Sequence, residues 1–446
     1  MSALTTGMAG RHLGVKLSGA LRREEVRKQK IKESWQKSGE SMAQTLSVLK
    51  GPLMKFGQMA SIQSGFLPGE FTAPLAALRQ NATPEPFSVI QAQIETELNA
   101  PVESLFKEIE QMPFAAASVG QVHRARTLDG QVVAVKVQYP NMEEFVDADV
   151  SSLTMALKAM GIASGQKDAL KRVATEFRNN LNNELDYTLE ARHQQLLQQF
   201  HAMHHPFVII PGIVPELCTK RVLTSVLHLG DSLEVAAGYA PKVRDLLGER
   251  LLTILYDQVF GAHMLHGDPN PANYAFTPEG NILLYDFGCI KLFAPEEIRA
   301  IRKLLRGFLL NDNDTLTEGL REIGALPADA PAPDDKFFNL VGQLMAKPLH
   351  PTEPFDMAKS NMHLEVLSRM PQLRQYRKQF IIPAQLILLQ RVNVGSYGNL
   401  RKLKAKIFVR NIIQNAIDRP PAAATPPSPD STDGMGRIQM DRDGYE

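Results

Sequence analysis

A chain of 446 residues, 44% hydrophobic and 22% charged, can bury a full core and reads as one bilobal unit or as two lobes with extensions. Its 49 Lys and Arg against 48 Asp and Glu leave a formal net charge of +1, which excludes a global field aimed at nucleic acid or at an acidic partner. The two cysteines, Cys218 and Cys289, are far apart and flanked by apolar residues, which argues against a disulfide framework or a zinc site and suits a reducing compartment.

Residues 1–20 lack the continuous apolar core of a signal peptide. A charged helical pattern follows over 21–49, with Val26, Ile31, Met42, Leu46 and Leu49 as its apolar positions, until Gly51-Pro52 interrupts it. The next helix is predicted to start at Pro52 and to run through Lys55, Gly57 and Gln58 toward Ser64. Lys55 and Gln58 share a face of it, and Gly57 admits another backbone closely. A helix over 88–98 comes next, and beyond Pro113 the pattern turns to β, with strands at 119–125 and 132–137 joined across the hairpin dipeptide Asp129-Gly130. Long helices are expected at 143–160 and 167–200, short strands at 208–210 and 221–226, and a helix at 242–265. A loop at 266–273 and a strand at 282–285 precede a mostly helical stretch, 295–417. Residues 419–446, rich in Pro, Ala, Ser, Asp and Gly, read as a disordered tail. No stretch reaches the roughly eighteen apolar residues of a membrane span.

The chemistry concentrates in three places. In Val133-Ala134-Val135-Lys136-Val137 the strand period puts the three valines on a core face and Ala134 with Lys136 on the other. In a kinase such a lysine pairs with the α- and β-phosphates of ATP, and the small residue leaves room for adenine. His266-Gly267-Asp268 with Asn273 five residues after the aspartate fits the catalytic-loop spacing H-R-D-x-x-x-x-N. Asp286-Phe287-Gly288 follows a short apolar strand. Asp268 is thus the candidate for taking or orienting the nucleophile's proton, and Asn273 and Asp286 are the candidate Mg²⁺ ligands beside the polyphosphate. The order of these elements predicts an α+β, protein-kinase-like bilobal fold with a small β-containing N-lobe, a helical C-lobe and an N-terminal helical extension. Expected boundaries are 1–85 for the extension, 86–228 and 229–418 for the lobes, and 419–446 for the tail.

Several departures from an ordinary protein kinase stand out. The loop before the lysine strand reads Ala115-Ala116-Ala117-Ser118 where a glycine-rich flap belongs, so Cβ atoms crowd the path of the phosphates. Gly267 replaces the arginine of the catalytic loop. Ala294-Pro295-Glu296 follows Gly288 almost at once, leaving no activation segment as a platform for a protein substrate, and Pro295 reads as a helix start. Lys136 needs a helical carboxylate partner, and spacing leaves Glu176, Glu184, Asp186 and Glu190 open. The basic run Arg401 to Lys406 reads as a solvated helix face rather than a lipid contact, and His204-His205 lacks the spacing of a metal site.

Together these residues resemble the UbiB family of atypical kinase-like proteins over roughly 51–293, through Lys55-x-Gly57-Gln58, the alanine-rich loop, the Lys136 strand, Glu184-x-Asp186 with Glu190 beyond, and the two acidic motifs. The resemblance implies that Lys55 and Gln58 lie on an extension folded over the active site, that the Glu-x-Asp motif contacts it, and that Glu190 partners Lys136. It also implies an ATP- and Mg²⁺-dependent ATPase or unorthodox kinase supporting ubiquinone (coenzyme Q) or related isoprenoid-lipid biosynthesis. Its partners would be lipid intermediates or enzymes of that synthesis, with no nucleic acid. The expected location is cytoplasmic, with any contact to the inner membrane peripheral. A small-molecule kinase of the aminoglycoside or choline type and a nucleotide-binding scaffold are the competing readings.

Overall fold

The computed structural model describes residues 84–116, 119–144, 182–381 and 383–419, with isolated positions elsewhere. Lys55 and Gln58, Ala117 and Ser118, and the tail beyond Arg419 lie outside the described residues.

The described chain opens with helices α1 (Phe87–Leu98) and α2 (Val102–Leu105). α1 buries Ile90 and Ile94 completely and closes on Asn99 in the left-handed region, a conformation asparagine tolerates. Strands β1 (Phe106–Ile109), β2 (Ala115–Ala116), β3 (Gly120–Thr127) and β4 (Val132–Gln138) follow. The turn between β3 and β4 falls where Asp129-Gly130 predicts it, with Gly130 at φ 94° and its N–H donating to Thr127 O at 3.0 Å. In β4 Val133, Val135 and Val137 are fully buried while Ala134 and Lys136 face the other way, the alternation expected of a strand.

The helix expected over 167–200 is not continuous. The chain leaves helical geometry at Leu185 and Asp186, and α3 (Tyr187–His204) begins afresh. The reason is Asp186, whose Oδ1 accepts the N–H groups of Thr188 at 3.0 Å and Leu189 at 3.2 Å, so that its carboxylate caps a helix start instead of continuing a helix. Beyond α3 come β5 (Val208–Ile209) and β6 (Val222–Val226), the latter joining the first four strands in an antiparallel sheet of order β1-β3-β4-β6, with β2 paired to β3. Register sets Lys136 opposite Val122 on one side and Leu223 on the other.

After the short α4 (Leu233–Ala236), α5 (Pro241–Phe260) ends five residues before the expected 265. Gly261 and Ala262 both donate to Asp257 O, His263 turns left-handed at φ 53°, and Met264 and Leu265 are then buried in strand β7 (Met264–His266). β8 (Tyr274–Phe276) and β9 (Ile282–Leu284) form a small sheet with β5, which runs parallel to β9. Ile282, Leu283 and Leu284 are all buried, as in a strand covered on both faces. The remainder holds β10 (Ile290–Leu292), α6 (Pro295–Leu310), α7 (Asn313–Glu322), α8 (Asp335–Met345), β11 (Phe355–Asp356), α9 (Met362–Leu373), α10 (Ala384–Leu403), β12 (Lys406–Ile407) and α11 (Val409–Asp418). α6 starts at Pro295, as the sequence predicts, and Ala294 N–H donates to Glu297 at 2.8 Å.

The chain divides into two compact units. The first comprises the described residues up to Gly248 together with 266–290 and 382–405; it holds the five-stranded sheet, the β5-β9-β8 sheet, α3, α4 and α10. The second takes 249–265, 291–381 and the described residues from 406 onward; it is mainly helical, with Ile298, Ile301, Leu304, Leu316, Ile412 and Ile413 in its core. Among the described residues no helix is long and apolar enough to cross a membrane.

Candidate active site

Every described candidate residue belongs to the first unit. β4 presents Lys136 on the face opposite its valines, and α3 presents Glu190 one turn after the Asp186 cap. Lys136 Nζ donates to Glu190 Oε1 at 2.7 Å and Oε2 at 2.8 Å, and stands 3.7 Å from Asp286 Oδ1. With side-chain exposures of 16% and 3%, the Lys136–Glu190 pair is withdrawn from water, where losing one partner costs about 3–5 kcal/mol. Burial alone would lower the lysine's pKa, but the carboxylates of Asp286 and Glu190 outweigh it and hold the ammonium above the ordinary lysine range. Burial pushes the Glu190 carboxyl upward, opposed by Lys136 and by the Phe287 N–H at 3.3 Å. Tyr187, also fully buried, lies under Lys136 with its ring centroid 4.9 Å from Nζ, a cation–π contact that fixes the ammonium from a third side. Of the four carboxylates that spacing left open, Glu190 is thus the one in the pair. Glu184 sits half-buried ahead of the helix break, while Asp186 serves the cap; the Tyr187 hydroxyl's pKa is raised by burial first, and then by Glu190, Asp286 and Glu184 against the opposing charge of Lys136.

The acidic loop is built from short turns. Asn270 caps the 3₁₀ turn Pro271–Asn273, and Asn273 Nδ2 donates to Asp268 Oδ2 at 3.0 Å, so the two site residues of this loop orient each other. Asp268 Oδ1 accepts the Asn270 N–H at 3.3 Å. Asp286 sits in the left-handed region at φ 58°, an uncommon place for a residue with a side chain, and two bonds hold it there. Its Oδ1 accepts the Gly288 N–H at 3.2 Å, and its carbonyl accepts from His266 Nε2 at 2.7 Å, which assigns the proton of the His266 ring to Nε2. His266 is buried edge-on against Phe287, 5.7 Å between centroids.

α10 supplies residues that motif reading missed. Arg391 NH2 stands 3.5 Å from Asp268 Oδ1, Asn399 Nδ2 donates to Pro269 O at 2.9 Å, and Gly395 lies so close to Pro269 that a Cβ there would come within 2.2 Å of its ring. The available signal was a single charged residue, Arg391, in the stretch Leu386 to Val394, whose other polar positions are Gln390 and Asn393. Gly267 has a related reason, since its N–H donates to Cys289 O at 2.7 Å and a Cβ would meet the Cys289 sulfur at 2.9 Å. Ala115 and Ala116, the described half of the alanine-rich loop, pair with Val122 and Gln121 as β2. The structure brings Lys136, Glu190 and Asp286 together through hydrogen bonds and an ion pair, and Asp268 and Asn273 through a hydrogen bond. Among the described residues no group of three or more His, Cys, Asp or Glu is arranged to hold a metal by itself.

A family model described as the ABC1 atypical kinase-like domain matches residues 77–320, more than half of the chain. The chain is 28% identical over 372 residues to "Atypical kinase coq-8, mitochondrial" of Caenorhabditis elegans, covering 81% of this chain but only 48% of the nematode protein's length. It is 28% identical over 376 residues to "Probable protein kinase UbiB" of Shewanella halifaxensis, covering 82% of this chain and 66% of the other. A Mycobacterium tuberculosis protein solved in complex with erythromycin, Rv3197, superimposes with a TM-score of 0.61 at 24% identity, over 84% of this chain and 95% of that one. The α+β, kinase-like fold and the UbiB resemblance expected from the sequence agree with these matches.

Proposed function

The chain belongs to the family of ABC1 atypical kinase-like domains, and on that premise we propose that it is an ATPase or atypical kinase that binds ATP with Mg²⁺ and supports ubiquinone or related isoprenoid-lipid biosynthesis. The observation that carries the reading is the Lys136 ammonium gripped by both oxygens of Glu190 with Asp286 3.7 Å away, a cation poised for phosphate with its counter-charge already in place. The donor set fits the metal. Asn273 spends its amide nitrogen on Asp268, which leaves its oxygen as a neutral hard ligand, and Asp286 presents a half-exposed carboxylate. Bound Mg²⁺ would neutralise the charge that develops on the transferred phosphoryl group.

In this reading Lys136 orients the phosphates, and Asp268, held by Asn273, the Asn270 N–H and Arg391, receives the proton of the acceptor, which is water or a small or lipid molecule. The loop Ala115-Ala116-Ala117-Ser118 covers the phosphates, Lys55 on the extension 1–85 limits access of the acceptor, and Glu184 meets that extension. Lobes at 86–228 and 229–418 and the tail 419–446 belong to the same proposal, as do isoprenoid-lipid intermediates or the enzymes handling them as partners. The test is thermal stabilisation by ATP with and without Mg²⁺, beside phosphate release, in the parent and in Asp286→Asn. We expect the Mg²⁺-dependent part of the stabilisation and the phosphate release to vanish in the variant. Equal stabilisation in both proteins sinks the assignment.

A further inference from the structure

We propose that the outward face of α9, continued through residues 374–381, is the surface by which this protein docks on an anionic lipid membrane. α9 spans 12 residues and buries none of them. At helical spacing its inner side carries Met362, Glu365, Val366, Arg369 and Leu373, each half-buried. The outer side carries Leu364, Leu367 and Met370, exposed by 54%, 64% and 39%. A helix packed only for its own fold turns such residues inward. Here they form a row facing water.

The next turn, the 3₁₀ segment Arg374–Lys378, is pinned from beneath. Tyr376 is buried, its hydroxyl donates to Asp334 at 2.8 Å, and its ring meets Phe337 edge-on at 5.1 Å. That anchor leaves Arg374, Arg377 and Lys378 pointing to solvent, and Ile381 is 60% exposed just beyond them. Charge decides which partner fits. Between 362 and 381 the sole carboxylate is Glu365, which lies on the inner side and is paired with Lys347 at 2.7 Å. The outer face therefore joins an apolar row to cations with no carboxylate from its own segment, and the exposed acid that meets the segment from another element, Asp334, is engaged by the Tyr376 hydroxyl; anionic headgroups over an acyl layer complement that composition. A cavity of about 380 Å³ on the inner side of α9 is lined by Glu353, Asp356 and Glu365 as well as Lys347 and Lys359, so it has no such bias toward anions. The basic run Arg401 to Lys406 is a poorer candidate: Lys402 pairs with Glu234 and Lys406 with Asp356, and Leu403 and Ala405 are buried.

This surface deepens the lipid-linked reading given above and rests on it for the choice of a lipid over a protein. The test is co-sedimentation of the full chain with phosphatidylcholine vesicles, with and without phosphatidylglycerol. The parent is compared with the double variant Leu364→Ser, Leu367→Ser and the triple variant Arg374→Gln, Arg377→Gln, Lys378→Gln. The parent should bind only the anionic vesicles, and each variant should lower that partitioning about tenfold or more while keeping the parent's thermal shift with ATP. Parental vesicle binding by both variants, or no binding by the parent, overturns the proposal. So does a change from a larger to a smaller particle in the leucine variant, which would seat a second copy of the chain on the row. An absent ATP shift in the parent would count against the nucleotide reading alone, because the vesicle measurement stands apart from it.

Discussion

Glu190 is the residue on which the site turns. Both of its carboxylate oxygens hold Lys136, and Oε1 also takes the Phe287 N–H, so one side chain ties the lysine strand to the segment after Asp286. A neutral amide of the same shape cannot supply two charge-assisted bonds, and it leaves the buried ammonium with only Asp286 at 3.7 Å. Glu190→Gln is therefore expected to cost about 3 kcal/mol of stability in urea unfolding and to remove the thermal shift with ATP. A stable variant that still responds to nucleotide would show that the pair does not organise the site.

At the scale of elements, the contact between α10 and the acidic loop sets two local preferences against each other. Alanine is favoured over glycine inside a helix by about 1 kcal/mol. A Cβ at Gly395, however, would lie 2.2 Å from the Pro269 ring, so the helix or the loop must shift, and overpacking of this kind costs about 1–3 kcal/mol. Packing should win. Gly395→Ala is expected to lower stability by about 1 kcal/mol net and to slow phosphate release by more than stability alone explains, because the shift displaces Asp268 from Arg391 and Asn273. Urea unfolding and phosphate release, measured together, check it: a stabilised variant with parental turnover would mean that the loop yields freely. The Asp186 cap works on the same scale, since starting α3 there brings Glu190 onto the turn that faces β4.

For the whole molecule the readable quantity is stability against pH, and His201 offers a defined contribution. It lies in the last turn of α3, where the helix dipole favours a cation, yet it is 1% exposed. Burial first, and then His205, His204 and His266, push its pKa down to about 3. The unfolded chain takes up this proton near pH 6.5, whereas the folded chain does so only near 3. Between those values the unfolded state binds more protons, so this contribution is present above about pH 6.5 and is lost as pH falls toward about 3. The parent should lose stability on acidification, and His201→Phe should make the dependence shallower by up to about 1.4 kcal/mol per pH unit in that window. The comparison must be of slopes, because burial also lowers His123 and His193 and gives them the same sign. Parallel curves would put the titration elsewhere.

Local order was legible in the sequence wherever one residue's chemistry fixes a backbone state. Strand alternation placed Lys136 opposite its valines, Asp129-Gly130 located the turn, Pro295 marked the start of α6, and the Asp268 to Asn273 spacing anticipated a loop whose two end residues bond each other. The ends of helices were less legible. An internal aspartate can lie on a helix surface or begin a new helix, and only the bonds it makes to Thr188 and Leu189 decide for Asp186. Spacing left the carboxylates near Lys136 open and the family resemblance singled out Glu190; the tertiary structure supplies the physical reason, because docking α3 buries that carboxylate against the ammonium. Tertiary structure alone brought Arg391 beside Asp268, since residues on separate elements share no sequence spacing. It also left Leu364, Leu367 and Met370 facing water, for a row of apolar residues at helical intervals says that a face exists and not which way it points.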